Sequence, residues 1–249
     1  MTLISSISGI RGTVNGPNTK NLTPIDVVQY TSAYGTWINK KNQNKDKTIV
    51  LGRDGRISGS VILELVKSTL ISMGIDIIDI GLSTTPTTQI IVQKKKAEGG
   101  IILTASHNPK NWNALKLFNS KGEFLIGEEA EEIFRIVEEG KYEFMKEDDY
   151  GKIHESFNSF QIHIDEVKNL KLVNCETIIN KKFKVVVDGI NSSGGVIVPK
   201  LLKELGCSVI EINCEPDGNF AHNPEPLDKN LSQLKKTVKE EKADLGIAL

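Results

Sequence analysis

Apolar runs of strand length alternate with segments of helical period along almost the whole chain, and no other feature constrains the fold as strongly. Residues 48–51, 75–80 and 101–103 are such runs, and the segments between them, 58–73 and 87–97, carry helical spacing. In the first of these segments Val61, Ile62, Leu65, Val66, Thr69, Leu70 and Met73 form one stripe. Ser58 is placed to cap its start, and Gly74 sits where a C′ glycine belongs. Upstream, Thr23-Pro24 reads as N-cap and first helical position ahead of Val27, Tyr30, Tyr34, Trp37 and Ile38, before a polar Lys/Asn stretch. Residues 115–125 read as a hairpin and 127–139 as an acidic helix. The alternation then resumes: helix 160–172, strand 183–187, helix 196–205, strand 208–212, amphipathic helix 227–242 and a strand from 243 onward.

This order predicts an α/β chain made of two consecutive three-layer α/β/α domains with mostly parallel, mixed sheets. Periodicity fades over 140–159, where charged and small residues dominate, so the boundary is set there: domain I is 1–155 and domain II is 156–249. The 249 residues fit two domains of moderate size. With 31 basic against 32 acidic residues, the net charge of −1 recommends neither nucleic acid nor an anionic membrane as a partner. No apolar run reaches the roughly 20 residues that span a bilayer, and Met1-Thr2-Leu3-Ile4-Ser5 lacks the basic and apolar regions of a leader. Cys175, Cys207 and Cys214 are odd in number and form no C-x-x-C pair, so buried thiols in a reducing cytoplasm are expected.

In open α/β sheets ligands bind outside the carboxyl ends of the strands. The exit loops here are 53–56, 83–86, 104–109, 188–195 and 215–226, several of them rich in hydroxyls, amides and glycine. Such loops offer backbone N–H groups to anions, which points to an anionic small molecule, a phosphate ester above all. Gly189-x-x-x-x-Gly194 has the first spacing of a Walker A loop, but Gly195 and Val196 follow where Lys and Ser/Thr are required. No G-x-G-x-x-G follows a strand. On position alone Ser106 is a turn residue, His107 a structural histidine and Arg11 a surface ion-pair partner. Their setting adds chemistry: His107 and Lys116 lie near Ser106 in sequence as proton carriers or charge partners, and Arg11 is a cation flanked by glycines. No G-x-S-x-G elbow surrounds Ser106, which disfavours a serine hydrolase of that type, and nothing in the motif set favours a serine phosphatase or esterase.

Thr104-Ala105-Ser106-His107-Asn108-Pro109, followed by Asn113, Leu115 and Lys116, resembles the active-site signature of the α-D-phosphohexomutases, the phosphoglucomutases, phosphomannomutases and phosphoglucosamine mutases. Ser8-Gly9-Ile10-Arg11-Gly12, Gly52-Arg53-Asp54-Gly55-Arg56, Asp188-Gly189-Ile190-Asn191 and Pro216-Asp217-Gly218-Asn219-Phe220 with His222 are similar to other loops of that family in order and spacing. Trp112 stands where the family has Tyr or Phe, Ala114 where it has Gly, and Ala221 where Pro is common. The resemblance implies that Ser106 carries a phosphoryl group and passes it to a hexose phosphate. A bisphosphate forms, and the group moves between C1 and C6. His107, Lys116 and Arg11 would be catalytic, with Thr104, Asn108 and Arg53 binding substrate or phosphate. The phosphate on Ser106 would be a ligand of Mg²⁺, whose Asp ligands are expected beyond Leu249. The chain accordingly resembles the N-terminal half of such an enzyme, with its C-terminal domains as partners, and is expected not to turn over substrate alone. A non-catalytic phosphosugar-binding or interaction module is the alternative. Which hexose phosphate is taken stays open.

Overall fold

The computed structural model describes residues 3–6, 9–14, 21–42, 47–156 and 158–249. Met1 and Thr2 of the leader reading, Ser8 of the 8–12 loop, residues 43–46 of the polar stretch and Phe157 of the boundary segment lie outside them. The described residues form two units. One takes in residues of 1–54, 58–105 and 111–159; the other comprises Gly55–Ile57, Ser106–Lys110 and Phe160–Leu249.

In the first unit the elements are β1 (Ile4–Ser6), β2 (Gly9–Thr13), α1 (Pro24–Lys41), β3 (Thr48–Arg53), α2 (Gly59–Ser72), β4 (Asp76–Leu82), α3 (Thr85–Lys95), β5 (Gly99–Leu103), β6 (Trp112–Phe118), α4 (Gly127–Glu139) and β7 (Ile153–Glu155). The strands make one sheet in the order β1-β2-β6-β5-β3-β4-β7. From β5 through β3 and β4 to β7 the pairing is parallel, and from β5 through β6 and β2 to β1 it is antiparallel. The sheet is therefore mixed.

Local chemistry explains most of these boundaries. Thr23 caps α1 with a capping box: its hydroxyl accepts from the Asp26 N–H at 3.2 Å, and the Asp26 carboxylate accepts from the Thr23 N–H at 2.8 Å. Gly74 follows α2 with φ +74°, the left-handed backbone that ends a helix cheaply only at glycine. Ser58, by contrast, does not cap α2. Its backbone is helical and its side chain makes no cap bond, because the hydroxyl accepts from Asn113 Nδ2 at 2.9 Å instead. The expected hairpin over 115–125 reduces to one bridge between Phe118 and Phe124, since β6 runs from Trp112 and is already paired on both edges by β2 and β5.

The main core lies on the face covered by α1, α2 and α4, where Tyr34, Ile38, Ile49, Leu51, Val66, Leu70, Ile77, Ile101, Leu115 and Ile133 are buried. Each fully buried aliphatic side chain contributes roughly 1.5–3 kcal/mol relative to exposure. Tyr34 spans from α1 to the sheet and donates to the Phe118 carbonyl at 2.6 Å. A Cβ at Gly99 would overlap that hydroxyl, so the approach of α1 requires glycine there.

The second unit adds α5 (Ser159–Lys168), α6 (Cys175–Lys181), β8 (Lys184–Asp188), α7 (Gly194–Glu204), β9 (Ser208–Ile212), α8 (Ser232–Glu240) and β10 (Leu245–Ala248). Its sheet runs β10-β8-β9, all parallel. Val185, Val186 and Val187 of central β8 are buried, as a strand covered on both faces requires. The helix expected over 160–172 ends at Lys168, and a second short helix follows, capped by Asn174.

Candidate active site

Three of the expected side chains lie on strands of the first unit, Arg11 and Lys116 on one face of the sheet and Arg53 on the other. The β3/β5 ladder closes on Arg53 opposite Leu103, and the ladder is extended by Asp54 N–H to Leu103 O at 2.9 Å and Thr104 N–H to Ala114 O at 3.1 Å. In β2, Arg11 lies opposite Ala114 of β6, while Lys116, two residues on, lies opposite Ile102 of β5. Strand side chains alternate, so Arg11 and Lys116 are diagonal neighbours on one face of the sheet, the face away from the main core. The Nε of Arg11 is buried and has no hydrogen-bond partner. The ammonium of Lys116 stands 5.7 Å from the Phe124 ring centroid. Arg53 pairs with Leu103, a main-core residue, so it points to the opposite face, where it packs on Gly59 of α2 and donates to the Asp54 carbonyl at 3.0 Å. Ala114, the residue that departs from the family pattern, keeps regular ladder pairing with Arg11.

Ser106–Lys110 clusters with the second unit. Ser106 is exposed and holds φ +54°, a left-handed conformation that L-residues adopt at a cost. His107 is exposed and Asn108 half-buried. The residue that organises this segment is Arg56, which is only 1% exposed. Its guanidinium donates to the carbonyls of Ser106 at 2.8 Å, Asn108 at 2.8 Å and Pro109 at 2.6 Å, and its Cζ lies 5.0 Å from the Phe220 ring centroid. The turn carrying Arg56 is itself held: Gly55 N–H donates to Ser192 Oγ at 3.0 Å, and Gly218, with φ +75°, packs against the Gly55 carbonyl so closely that a Cβ would overlap it.

The loops at the end of β8 are joined by a buried carboxylate. Asp188 Oδ1 accepts from Ile190 N–H at 3.2 Å and Asn213 Nδ2 at 3.1 Å, and Asp188 Oδ2 faces His222 Nε2 at 2.9 Å. His222 Nδ1 donates to the Asn223 carbonyl at 2.9 Å. Both ring nitrogens face acceptors, an arrangement that suits imidazolium. Burial lowers the His222 pKa, but the Asn223 carbonyl and the Asp188 carboxylate outweigh it and leave it raised. Burial likewise pushes the Cys214 thiol up.

In Gly52-Arg53-Asp54-Gly55-Arg56 the sequence points to Arg53, whereas the structure makes Arg56 the organising residue, and Asp188 and His222, 34 residues apart, pair only in the fold. A signal for Arg56 existed: a second arginine directly after Asp-Gly, whose five-donor fork suits several carbonyls at once. Among the described residues no group of three or more His, Cys, Asp or Glu side chains is placed to hold a metal ion. The residues present therefore do not fit a magnesium site by themselves. No helix among them is long and apolar enough to cross a membrane.

Comparison with known proteins places the chain in a class and then in a family. Its fold is shared with a solved structure, a phosphoglucomutase/phosphomannomutase family protein of Burkholderia thailandensis, which superposes with TM-score 0.77 at 24% identity, over 99% of this chain and 52% of that one. The family description "Phosphoglucomutase/phosphomannomutase, alpha/beta/alpha domain I" matches residues 4–144, and the corresponding domain II description matches residues 161–249. The chain belongs to this phosphoglucomutase/phosphomannomutase family, that of the α-D-phosphohexomutases. Its relatives include a "Probable phosphoglucosamine mutase" of Methanosarcina acetivorans, 38% identical over 97% of this chain and 51% of the relative. A "Phosphoglucomutase/phosphomannomutase" of Thermococcus kodakarensis is 34% identical over 96% of this chain and 51% of that protein. The chain thus spans about half the length of the curated relatives it matches.

Proposed function

We propose that this chain supplies the phosphoserine half of a hexose-phosphate mutase, with Ser106 as the phosphoryl carrier. The observation that carries the reading is Ser106 itself: an exposed serine in a left-handed conformation, on a loop whose carbonyls are fixed by a buried guanidinium. A serine hydroxyl is a weak nucleophile, and a serine that is already phosphorylated moves the burden to positioning and charge. In the transfer the bond from Ser106 Oγ to phosphorus breaks while a bond from a sugar hydroxyl oxygen to phosphorus forms. The hydroxyl proton leaves to a base, and the Ser106 oxygen is released as serine once protonated. Lys116 and His107 are assigned the proton steps. Arg11 and Lys116 supply positive charge for the phosphoryl oxygens, and the unpartnered Nε of Arg11 is a buried donor in need of an acceptor. Thr104, Asn108 and Arg53 are assigned to binding. These steps concern this chain's own residues; the Mg²⁺ that the resemblance implies would take the Ser106 phosphate as one ligand and add positive charge there.

The substrate is assigned as a class, a hexose 1- or 6-phosphate. The relatives carry glucose, mannose and glucosamine names and are about twice as long, and the reading puts sugar discrimination in their unmatched half. The alternative reading is a non-catalytic phosphosugar-binding or interaction module. Incubation with glucose 1,6-bisphosphate and Mg²⁺, followed by intact-mass measurement, separates the two. The carrier reading expects one added phosphate that maps to Ser106 and is lost in Ser106→Ala. Sugar phosphate bound to the protein with no phosphate gained would establish the second reading.

A further inference from the structure

We infer that Arg56 is a positioning residue for Ser106: it holds the phosphoryl-accepting loop in its working conformation without contacting substrate. The inference rests on the carrier role of Ser106. Three carbonyls of one five-residue segment, those of Ser106, Asn108 and Pro109, converge on a single guanidinium at 2.6–2.8 Å. A carbonyl of each peptide points at Arg56, and in a trans peptide the N–H points the other way. The His107 and Lys110 amides therefore face away from the guanidinium. In these peptides the acceptors turn toward Arg56 and the two N–H groups turn away. Convergence of the carbonyls also accounts for the left-handed Ser106. Turning the Ser106 carbonyl inward while the chain continues to Asn108 and Pro109, whose carbonyls turn inward too, needs a tight reversal, and φ +54° at Ser106 provides it.

Arg56 is in turn fixed from two sides. Phe220 lies over its guanidinium, and Gly55, the preceding residue, is held by Ser192 Oγ and backed by Gly218. A lysine would place one ammonium where Arg56 places a planar fork, and could not address the three carbonyls with the same geometry. Loss of the guanidinium leaves carbonyls of a partly buried loop without their donor, so the loop is expected to sample other conformations in which Ser106 is misplaced. Small misplacements of a reacting group are costly to rate, and a slowing of about tenfold or more is expected.

Two readouts test this on the 249-residue chain, with Arg56→Lys and Arg56→Ala compared with the unsubstituted protein. The first is amide hydrogen exchange across residues 104–111, which does not depend on phosphoryl chemistry. The second is the rate at which Ser106 gains phosphate from glucose 1,6-bisphosphate, with and without free guanidinium at a non-denaturing concentration. Expected are faster exchange confined to this segment in both variants, phosphoryl uptake slowed about tenfold or more, and partial restoration of Arg56→Ala by added guanidinium, a recovery that a general loss of stability would not show. If Arg56→Ala does not fold, Arg56→Lys decides alone by the same exchange and uptake criteria. Exchange and uptake within about twofold of the parent protein in the folded variants would overturn the inference. If the parent protein itself takes up no phosphate, the carrier reading falls, and the exchange arm still decides whether Arg56 holds the loop.

Discussion

Arg56 and His222 show how much of this chain's polar structure depends on single side chains with two or three partners. The His222 imidazolium bridges Asp188 and the Asn223 carbonyl, and its pKa is raised above its unfolded value of about 6.5. A raised pKa means that the folded state holds its proton more tightly than the unfolded state. The contribution is thus fully present below about pH 6.5 and is lost as pH rises through the folded value. Urea unfolding of the parent chain and His222→Gln at a series of pH values should show a stability gap that narrows as pH rises above about 6.5; a gap that is flat or widens would contradict the pairing. The Ser106 segment stands out in the sequence because its polar residues are neighbours in the chain. Arg56 does not, because its carbonyl partners lie 50 to 53 residues away and backbone carbonyls carry no residue signature.

At the scale of elements, the capping box of α1 and the glycine beneath the Arg56 turn make separate predictions. Thr23→Ala removes the side-chain acceptor for the Asp26 N–H and should cost about 1 kcal/mol in chemical unfolding. Gly218→Ala sets a Cβ against the Gly55 carbonyl at a residue with φ +75°, so it should loosen the turn bearing Arg56, seen as faster exchange at both 55–57 and 106–110. Protection at 106–110 equal to that of the parent would deny the linkage. The stretch from β3 to β5 was readable because its helices have clean apolar stripes and its strands are short apolar runs. What escaped had physical reasons. β1 and β2 are short and rich in Ser and Gly, so they acquire strand character only by pairing, β2 with β6 and β1 with β2. β6 is buried on both faces over Asn113, Ala114 and Leu115, so it shows no alternation and its first half carries no strand signature. β7 sits in a stretch whose residues are exposed and polar, and backbone pairing with β4 alone makes it a strand. Ser58 occupied the N-cap position, but the Asn113 amide claimed its hydroxyl.

At the scale of the whole chain, the two units match the domain I and domain II descriptions of one family. What is proposed for Ser106 is narrower than a full catalytic cycle: it takes a phosphoryl group and gives it back to a sugar. That return step is the most direct test. Chain phosphorylated on Ser106 is mixed with hexose 6-phosphate and Mg²⁺, and the protein mass and the sugar products are followed together. The account predicts that each phosphate lost from the protein appears as hexose bisphosphate, with glucose, mannose and glucosamine 6-phosphates compared as acceptors. Release of that phosphate as inorganic phosphate, or its retention on Ser106 with every acceptor, would contradict it.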